Sequence, residues 1–254
     1  MKTHTLEQRG NYETSRRVLQ IINQVFRYAV ITGRAKHNIA ADLRGALRPR
    51  KTVHRAAVLE PEKVGQLLRD IDAYKGYFPL VCALKLAPLV FTRPTELRAA
   101  QWKEFDLESG EWRIPAERMK MRRQHLVPLS RQAISILREL QKYSGEGIYL
   151  FPSIRTEVRP ISDATMLNAL RRMGYQKHEM SVHGVRSIAS TLLNELGYNR
   201  DWIERQLAHG EQNEVRAAYN YAEYLPERRR MMQDWADYLD GLRHAKRKGS
   251  GDTV

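Results

Sequence analysis

Apolar residues recur at helical spacing along most of the chain, and glycine, proline or small polar residues separate the periodic segments. The first clear stripe consists of Val18, Ile21, Ile22, Val25, Ala29 and Val30. This stripe predicts a helix over 13–33, which Gly33 would end. A shorter helix is predicted over 39–47. Residues 48–55 are polar and basic with no apolar period, which is typical of a linker between domains.

From residue 57 the pattern predicts a second, larger domain. The predicted helices cover 61–71, 77–90, 95–101, 131–143, 163–173, 181–195, 200–208 and 226–242. Ser130 is the predicted cap of the helix at 131–143, and Ser181 is that of the helix reaching 195. Three short strands are predicted at 104–107, 111–114 and 125–129, with Ser109 and Gly110 in the turn between the first two. The expected fold class is therefore mainly α with a small antiparallel β-sheet (α+β).

The same signals divide the chain into four parts. We predict helices of a first domain in 1–50, a linker at 51–56 and the second domain at 57–242. Residues 243–254 form a basic tail that becomes rich in glycine and serine, and we predict it to be disordered. The last predicted helix carries Met231, Trp235, Tyr238, Leu239 and Leu242 on roughly one face. That face can pack either on its own domain or on a neighbouring subunit.

Charge indicates the class of partner. The 254 residues carry a net charge of +14, and the first 56 contain twelve basic residues against three acidic ones. Such concentration favours a nucleic-acid-binding face over a merely solvated surface. The single cysteine, Cys82, excludes an internal disulfide and lies in an apolar run that predicts burial. With no secretory signal and no apolar span of about 20 residues, we expect a soluble, intracellular protein.

The segment from Ser181 to Arg186 carries the first candidate chemistry. His183 and Arg186 lie three residues apart at a predicted helix start, so both side chains share one face beside free backbone N–H groups. Such a corner can hold an anion, although many helices begin with these residue types for structural reasons.

Four further residues could act on a phosphate. Arg93 precedes another helix start and could equally form a structural ion pair with Glu96. Lys120 lies in a basic hairpin, where it could donate a proton, contact a nucleic-acid backbone or be solvated. His209 could instead cap a helix, and Tyr219 could simply pack. No His/Cys set has metal-ligand spacing, and no glycine-rich phosphate loop is present.

The ordered set Arg93, Lys120, His183-x-x-Arg186, His209 and Tyr219 resembles the catalytic constellation of the tyrosine recombinases, the phage integrase family. Thr92–Leu97 resembles the first-arginine box of that family, and Leu207-Ala-His209 resembles its Leu-Gly-His box. The sequences of Glu117–Arg123 and Glu227–Met232 are most similar to those of the prophage and genomic-island branch. The resemblance implies a catalytic domain at 57–242, preceded in 1–50 by the last helices of a core-binding domain that clamps DNA.

The resemblance also implies a reaction and a role for each residue. Strands of double-stranded DNA would be cut and rejoined at an attachment-site core, without metal or nucleotide cofactor, through a 3′-phosphotyrosyl intermediate. Arg93 and Arg186 would clamp the phosphate oxygens, His183 and His209 would add hydrogen bonds, and Lys120 would protonate the leaving 5′-oxygen. Tyr219 would be the nucleophile. The expected outcome is integration or excision of a mobile element.

Two departures from the family pattern affect these expectations. Integrases of this branch carry a longer N-terminal region, so we expect this sequence to be a fragment or a truncated gene product. The family often has His or Arg two residues after the nucleophile, where this chain has Tyr221. Tyr221 is therefore a rival nucleophile and Tyr224 a remote third. Tyr219 is favoured because its distance from His209 fits this branch.

The basic N-terminal segment would form part of a DNA clamp. The candidate DNA-binding residues are Arg16, Arg17, Arg27, Arg48, Arg50, Lys51, Arg122 and Arg123. The resemblance further implies a synaptic tetramer on DNA, a bacterial cytoplasmic location at the nucleoid and an accessory directionality factor. The alternatives are a non-catalytic DNA-binding integrase remnant and a type IB topoisomerase-like nicking-closing enzyme. An RNA-binding scaffold is disfavoured because no aromatic stacking motif stands out.

Overall fold

The computed structural model describes residues 2–43, 56–209 and 224–245. The chain divides into two compact units, Met1–His54 and Arg55–Val254. Within the described residues no helix is both long enough and apolar enough to cross a bilayer.

The first unit is helical. Helix α1 (Lys2–Gln8), which the apolar pattern did not predict, packs against α2 (Tyr12–Ile31). The prediction of a helix over 13–33 is confirmed to within two residues at its end, where Gly33 takes a left-handed φ of +70°. The apolar stripe of α2 is half-buried at three of its six positions and exposed at the others, with Val25 at 60% and Ile21 at 53% exposure.

The predicted helix over 39–47 is wrong in its described part, where the chain forms a turn and then a 3-10 helix, Ala41–Leu43. The cause is Asn38, whose side chain accepts a hydrogen bond from the backbone N–H of Ala40 at 3.1 Å and donates one to Asn23 at 2.7 Å. An asparagine that bonds the chain two residues ahead favours a turn over a helix. The rest of this prediction, from residue 44 to 47, lies outside the described residues.

The described helices of the second unit are α3 (Pro61–Ala73), α4 (Phe78–Val90), α5 (Pro94–Arg98), α6 (Arg131–Ser144), α7 (Asp163–Arg172), α8 (Gly184–Glu195), α9 (Arg200–Gln206) and α10 (Leu225–His244). The sequence prediction is confirmed for each, with shifted ends. Helix α5 stops short of the predicted residue 101 because Ala100 and Gln101 pair with the segment at Tyr149 and Leu150. The predicted cap of α6 is also confirmed, since Ser130 accepts from the backbone N–H of Ala133.

Three strands form the predicted antiparallel sheet in the order β1 (Phe105–Asp106), β2 (Glu111–Ile114) and β3 (His125–Pro128). Gly110 has the left-handed φ of +66° that its predicted turn position requires. A second hairpin, β4 (Pro152–Ser153) with β5 (Thr156–Pro160), was not predicted. The observed fold class is nevertheless the predicted one, mainly helical with small antiparallel sheets.

Helix α4 lies at the centre of the second unit and ends where the candidate site begins. Cys82 in this helix is 3% exposed, as predicted, and burial raises the pKa of its thiol to about 11. Phe91 ends the helix in a left-handed conformation with φ of 35°. The indole N–H of Trp235 donates to the carbonyl of Pro88 at 2.8 Å, which satisfies one of the orphan carbonyls of the last turn.

Helix α10 packs on its own unit, which decides between the two alternatives for its apolar face. Met231, Trp235 and Leu239 are fully buried against the helical core, with α3 as the main partner. The helix continues to His244, and Arg243 pairs with Asp72 at 2.9 Å. The predicted disordered tail therefore begins too early at 243, while residues 246–254 lie outside the described part of the chain.

Candidate active site

The first candidate, Arg93, is the N-cap residue of α5. Its backbone N–H donates to Glu96 Oε2 at 2.9 Å and its Nη1 donates to Glu96 Oε1 at 2.8 Å. Its Nη2 donates to the carbonyl of Ala208 at 3.0 Å. The ion pair with Glu96 is therefore present, but the same guanidinium also reaches the end of α9, 115 residues further along the chain. The side chain remains 19% exposed.

The second arginine, Arg186, converges on the same place from α8. Its Nη1 donates to the carbonyl of Phe91 at 2.9 Å, and its Nη2 donates to the carbonyl of Leu207 at 2.7 Å and contacts His209 Nε2 at 3.1 Å. Burial, and next to it the charge of Arg93, lowers the pKa of Arg186 to about 10. The guanidinium is thus still charged at neutral pH. The structure brings both arginines to the last turn of α9.

The end of α9 is a Schellman motif. The N–H of His209 donates to the carbonyl of Glu204, and the N–H of Ala208 donates to that of Arg205, both at 3.1 Å. The motif requires a left-handed conformation at the first residue after the helix cap. Ala208 holds this position and has φ of 49°. The glycine of the family's Leu-Gly-His box corresponds to Ala208 and has a physical reason, because glycine adopts the left-handed conformation without strain.

Replacing Ala208 with glycine is expected to stabilise the protein by about 0.5 kcal/mol, because the relief of a left-handed alanine slightly exceeds the entropy that glycine adds to the unfolded chain. Urea unfolding followed by tryptophan fluorescence measures this, since all four tryptophans lie in the second unit. The matched control is Ala164→Gly on the exposed surface of α7, which should destabilise by about 0.5–1 kcal/mol. Equal destabilisation by both changes would contradict a strained Ala208.

The alternative role for His209 was to cap the last carbonyl groups of the helix with its ring, but both ring nitrogens have other partners. Its Nδ1 lies 2.7 Å from Glu204 Oε2 and its Nε2 lies 3.1 Å from Arg186 Nη2. A guanidinium only donates, so Nε2 accepts and the ring proton is on Nδ1. His209 therefore joins Glu204 to Arg186 in one hydrogen-bonded chain.

His183 precedes α8 as its N-cap residue and is half-buried. The backbone N–H of Arg186 donates to the carbonyl of His183 at 3.1 Å, which keeps the two residues on one helical turn. Ser181 is fixed beneath them, since its hydroxyl donates to the carbonyl of Ala56 and accepts from the N–H of Gly184, both at 3.1 Å. Ser181 therefore contacts the start of α8, but the N-cap position predicted for it is occupied by His183.

Lys120 lies between β2 and β3, and its side chain is exposed. Among the described residues it makes no hydrogen bond or ion pair with the other candidates. Its hairpin is nevertheless tied to α5, because the guanidinium of Arg118 donates to Glu104 and to the backbone carbonyl of Glu96. The base of the hairpin and the helix of Arg93 are thus one connected structure, with the lysine at the hairpin's solvent side.

A buried polar cluster beneath α9 was not predicted from the sequence. Gln206, which is fully buried, accepts from Arg228 Nη2 at 2.7 Å through its side chain, and its carbonyl lies 3.1 Å from His125 Nε2. Arg228 also donates to the carbonyl of Leu126. The cluster joins β3, α9 and α10, and so fixes the helix end that both arginines contact. The sequence signal was available only as polar residues inside apolar surroundings.

This cluster makes stability depend on pH. Burial, and next to it the charge of Arg228, lowers the pKa of His125 to about 3 from its ordinary 6.5. Because the unfolded chain binds this proton and the folded chain does not, stability is complete above pH 6.5 and falls as the pH drops from 6.5 toward 3. Between pH 7.5 and 5 the loss due to His125 is about 2 kcal/mol.

We expect His125→Gln to remove that part of the pH dependence, as measured by urea unfolding at both pH values. The glutamine amide can still donate to the carbonyl of Gln206 but does not titrate. His244→Gln, which changes an exposed histidine of α10, should behave like the wild type. If the His125 variant lost as much stability on acidification as the wild type, the buried neutral histidine would not be the cause.

The remaining predicted residues are placed as follows. Arg17, Arg27, Arg122 and Arg123 are exposed, and Arg16 is half-buried. Arg48, Arg50 and Lys51 lie outside the described residues, as do both tyrosines, Tyr219 and Tyr221. Tyr224 begins α10 with a left-handed φ of 48°. Within the described part of the chain, no group of three or more His, Cys, Asp or Glu side chains is arranged to hold a metal ion.

Both units match patterns of known families. The pattern of the phage integrase family matches residues 57–225, and that of the phage integrase central domain matches residues 3–46. The chain belongs to the phage integrase family. The integrase of Enterobacteria phage P4 is 42% identical over 246 residues, covering 91% of this chain and 56% of that protein. The prophage integrase IntA of Escherichia coli strain K12 is 40% identical over 247 residues, covering 94% and 59%.

The similar integrases are phage and prophage proteins, which confirms the predicted branch. The chain spans somewhat more than half the length of these two curated relatives. A lambda integrase dimer bound to a core site has the same fold, with a TM-score of 0.64 at 19% identity over 82% of this chain and 76% of that chain. The Tn1549 transposon integrase in complex with transposon end DNA gives 0.65 at 13% identity, over 90% and 82%.

Proposed function

We propose that this integrase family member is the catalytic part of a site-specific tyrosine recombinase, which cuts and rejoins DNA strands to integrate or excise a mobile element such as a prophage. The observation that carries the proposal is the convergence of Arg93, Arg186 and His209 at the end of α9. Two guanidiniums and an imidazole at one point suit a phosphodiester, whose non-bridging oxygens gain charge during attack.

Each residue has a chemical role in the proposal. Tyr219 attacks the phosphorus and becomes bonded to the 3′-phosphate, its phenolic proton passes to His183, and the 5′-oxygen leaves with a proton from Lys120. Arg93 and Arg186 stabilise the charge on the non-bridging oxygens, and His183 and His209 hydrogen-bond the same phosphate. A 5′-hydroxyl of the partner DNA then attacks the phosphotyrosine and reverses the step. The exposed position of Lys120 suits a residue that meets DNA only when the hairpin contacts it.

The proposed partners are double-stranded DNA and further copies of the chain. The exposed Arg17, Arg27, Arg122 and Arg123 would contact phosphates, together with Arg16, Arg48, Arg50 and Lys51, giving binding that weakens steeply with salt. A lambda integrase tetramer bound to a Holliday junction shares the fold, with a TM-score of 0.64. We extend this to a synaptic tetramer here, acting on chromosomal DNA in the bacterial cytoplasm with an accessory directionality factor.

Trapping of the covalent intermediate tests the proposal. The protein is incubated with a nicked suicide duplex that carries the attachment-site core of its own element, so that the short 5′-product diffuses away. We expect a protein–DNA adduct that survives denaturation and depends on the core sequence. Binding without any adduct would overturn the catalytic proposal in favour of a DNA-binding remnant. Adducts on any sequence, with relaxation of supercoiled DNA, would favour a topoisomerase-like enzyme instead.

A further inference from the structure

The contact between Glu204 and His209 has no assigned role in the proposed chemistry. The carboxylate oxygen Oε2 of Glu204 lies 2.7 Å from Nδ1 of His209, and the two backbones are joined by the hydrogen bond from the His209 N–H to the Glu204 carbonyl at 3.1 Å. Glu204 therefore contacts both the main chain and the ring of the histidine.

The Schellman motif explains why these two residues meet. The motif places the second residue beyond the helix directly over the third residue from its end, and an apolar contact commonly fills that place. In α9 those positions are His209 and Glu204, so the backbone itself holds a carboxylate against an imidazole. Both side chains are partly exposed, 39% for Glu204 and 47% for His209. A partly exposed ion pair adds little to the stability of the fold. The consequence of this contact is the orientation of the His209 ring.

The other side of the ring faces the phosphate-binding arginine. Arg186 Nη2 donates to Nε2, which requires the tautomer that carries its proton on Nδ1, and Glu204 accepts that proton's hydrogen bond. When a phosphate oxygen takes the place of Arg186 at Nε2, the ring takes up a second proton from the solvent there and donates it to that oxygen in a hydrogen bond. Glu204 accepts from Nδ1 in both situations, so the ring keeps one orientation before and after DNA binds.

We propose that Glu204 is a positioning residue, which holds the His209 ring at the scissile phosphate through Nδ1 while making no contact with DNA itself. The inference rests on the proposed recombinase function. A carboxylate that fixes the tautomer and direction of a functional imidazole is a recurrent arrangement, in which loss of the carboxylate weakens the imidazole's action without removing it.

The test is a double-mutant cycle on the rate of adduct formation at saturating DNA. Glu204→Ala is expected to lower the rate about tenfold with unchanged DNA affinity, and Glu204→Gln should recover most of it because an amide oxygen still accepts from Nδ1. In a His209→Ala background, Glu204→Ala should have no further effect. Glu146→Gln, an exposed change on another segment, is the matched control and should equal the wild type. An equal loss from Glu204→Ala with or without His209 would overturn the proposal.

A second readout needs no catalysis. NMR of protein labelled with nitrogen-15 histidine should show the His209 Nδ1–H as a hydrogen-bonded proton that exchanges slowly with solvent in the wild type and in Glu204→Gln, and as a rapidly exchanging proton in Glu204→Ala. An unchanged His209 signal in Glu204→Ala overturns the inference, whatever the enzyme does. If the wild type forms no adduct but the His209 signals change as expected, the recombinase proposal fails while the positioning of the ring by Glu204 stands.

Discussion

Tyr219→Phe is expected to form no covalent adduct on the suicide duplex, a loss limited only by the detection of the assay. Phenylalanine lacks the oxygen that would attack the phosphorus. DNA binding should persist, because phosphate contacts by arginines and lysines do not use this hydroxyl. Gel-shift and denaturing-gel measurements on the same samples separate the two properties.

Variants of Tyr221 and Tyr224 distinguish the proposed nucleophile from its rivals. Both tyrosines lie outside the described residues, so the choice rests on sequence: Tyr219 follows His209 by ten residues, the distance that fits this branch of the family. Tyr221→Phe and Tyr224→Phe should retain the adduct, as should Tyr143→Phe, which alters an exposed tyrosine of α6. An adduct from Tyr219→Phe, together with none from Tyr221→Phe, would transfer the nucleophile to Tyr221.

Local signals explain which features could be predicted from the sequence. Helix ends follow from residues near in the chain, such as Ser130 before α6 and Gly33 after α2. The hairpin turn at Gly110 requires a left-handed residue, and glycine supplies it. Arg93 and Arg186 could be identified because each lies in a short, contiguous motif of the family. Each of these predictions needs only a few neighbouring residues. The two helix ends and the turn are confirmed by the structure, while the catalytic roles of Arg93 and Arg186 stay proposals.

Features that depend on distant contacts were missed. Gln206 meets Arg228 and His125 across separations of 22 and 81 residues, and nothing near Gln206 in the sequence indicates burial of an amide. The β4–β5 hairpin has only two residues in its first strand, too few for an alternating pattern. Glu204 could have been predicted, because Leu207-Ala-His209 can form a Schellman motif at a helix end. That motif brings His209 beside the residue five positions earlier, which is Glu204.

Arg186→Lys is expected to lower the rate of adduct formation by about 100- to 1,000-fold at neutral pH. The guanidinium donates to Phe91 O, Leu207 O and His209 Nε2 from two nitrogens in one plane. An ammonium group cannot reproduce that fork and also clamp a phosphate. It also begins from a lower ordinary pKa than the guanidinium, about 10.4, and burial beside Arg93 lowers it further, so part of the charge is lost as well.

Arg138→Lys is the control that separates this effect from the general cost of exchanging arginine for lysine. Arg138 pairs with Glu108 at 3.1 Å on the surface of α6, where both side chains are more than half exposed. A surface pair of this kind contributes about 0–1 kcal/mol, so neither rate nor stability should change appreciably. Comparing rates at a temperature well below the melting point of each variant removes unfolding as a cause. An Arg186→Lys protein that remains folded and reacts at the wild-type rate would show that the convergence of guanidiniums at the end of α9 is structural, and the proposed phosphate clamp would fail with it.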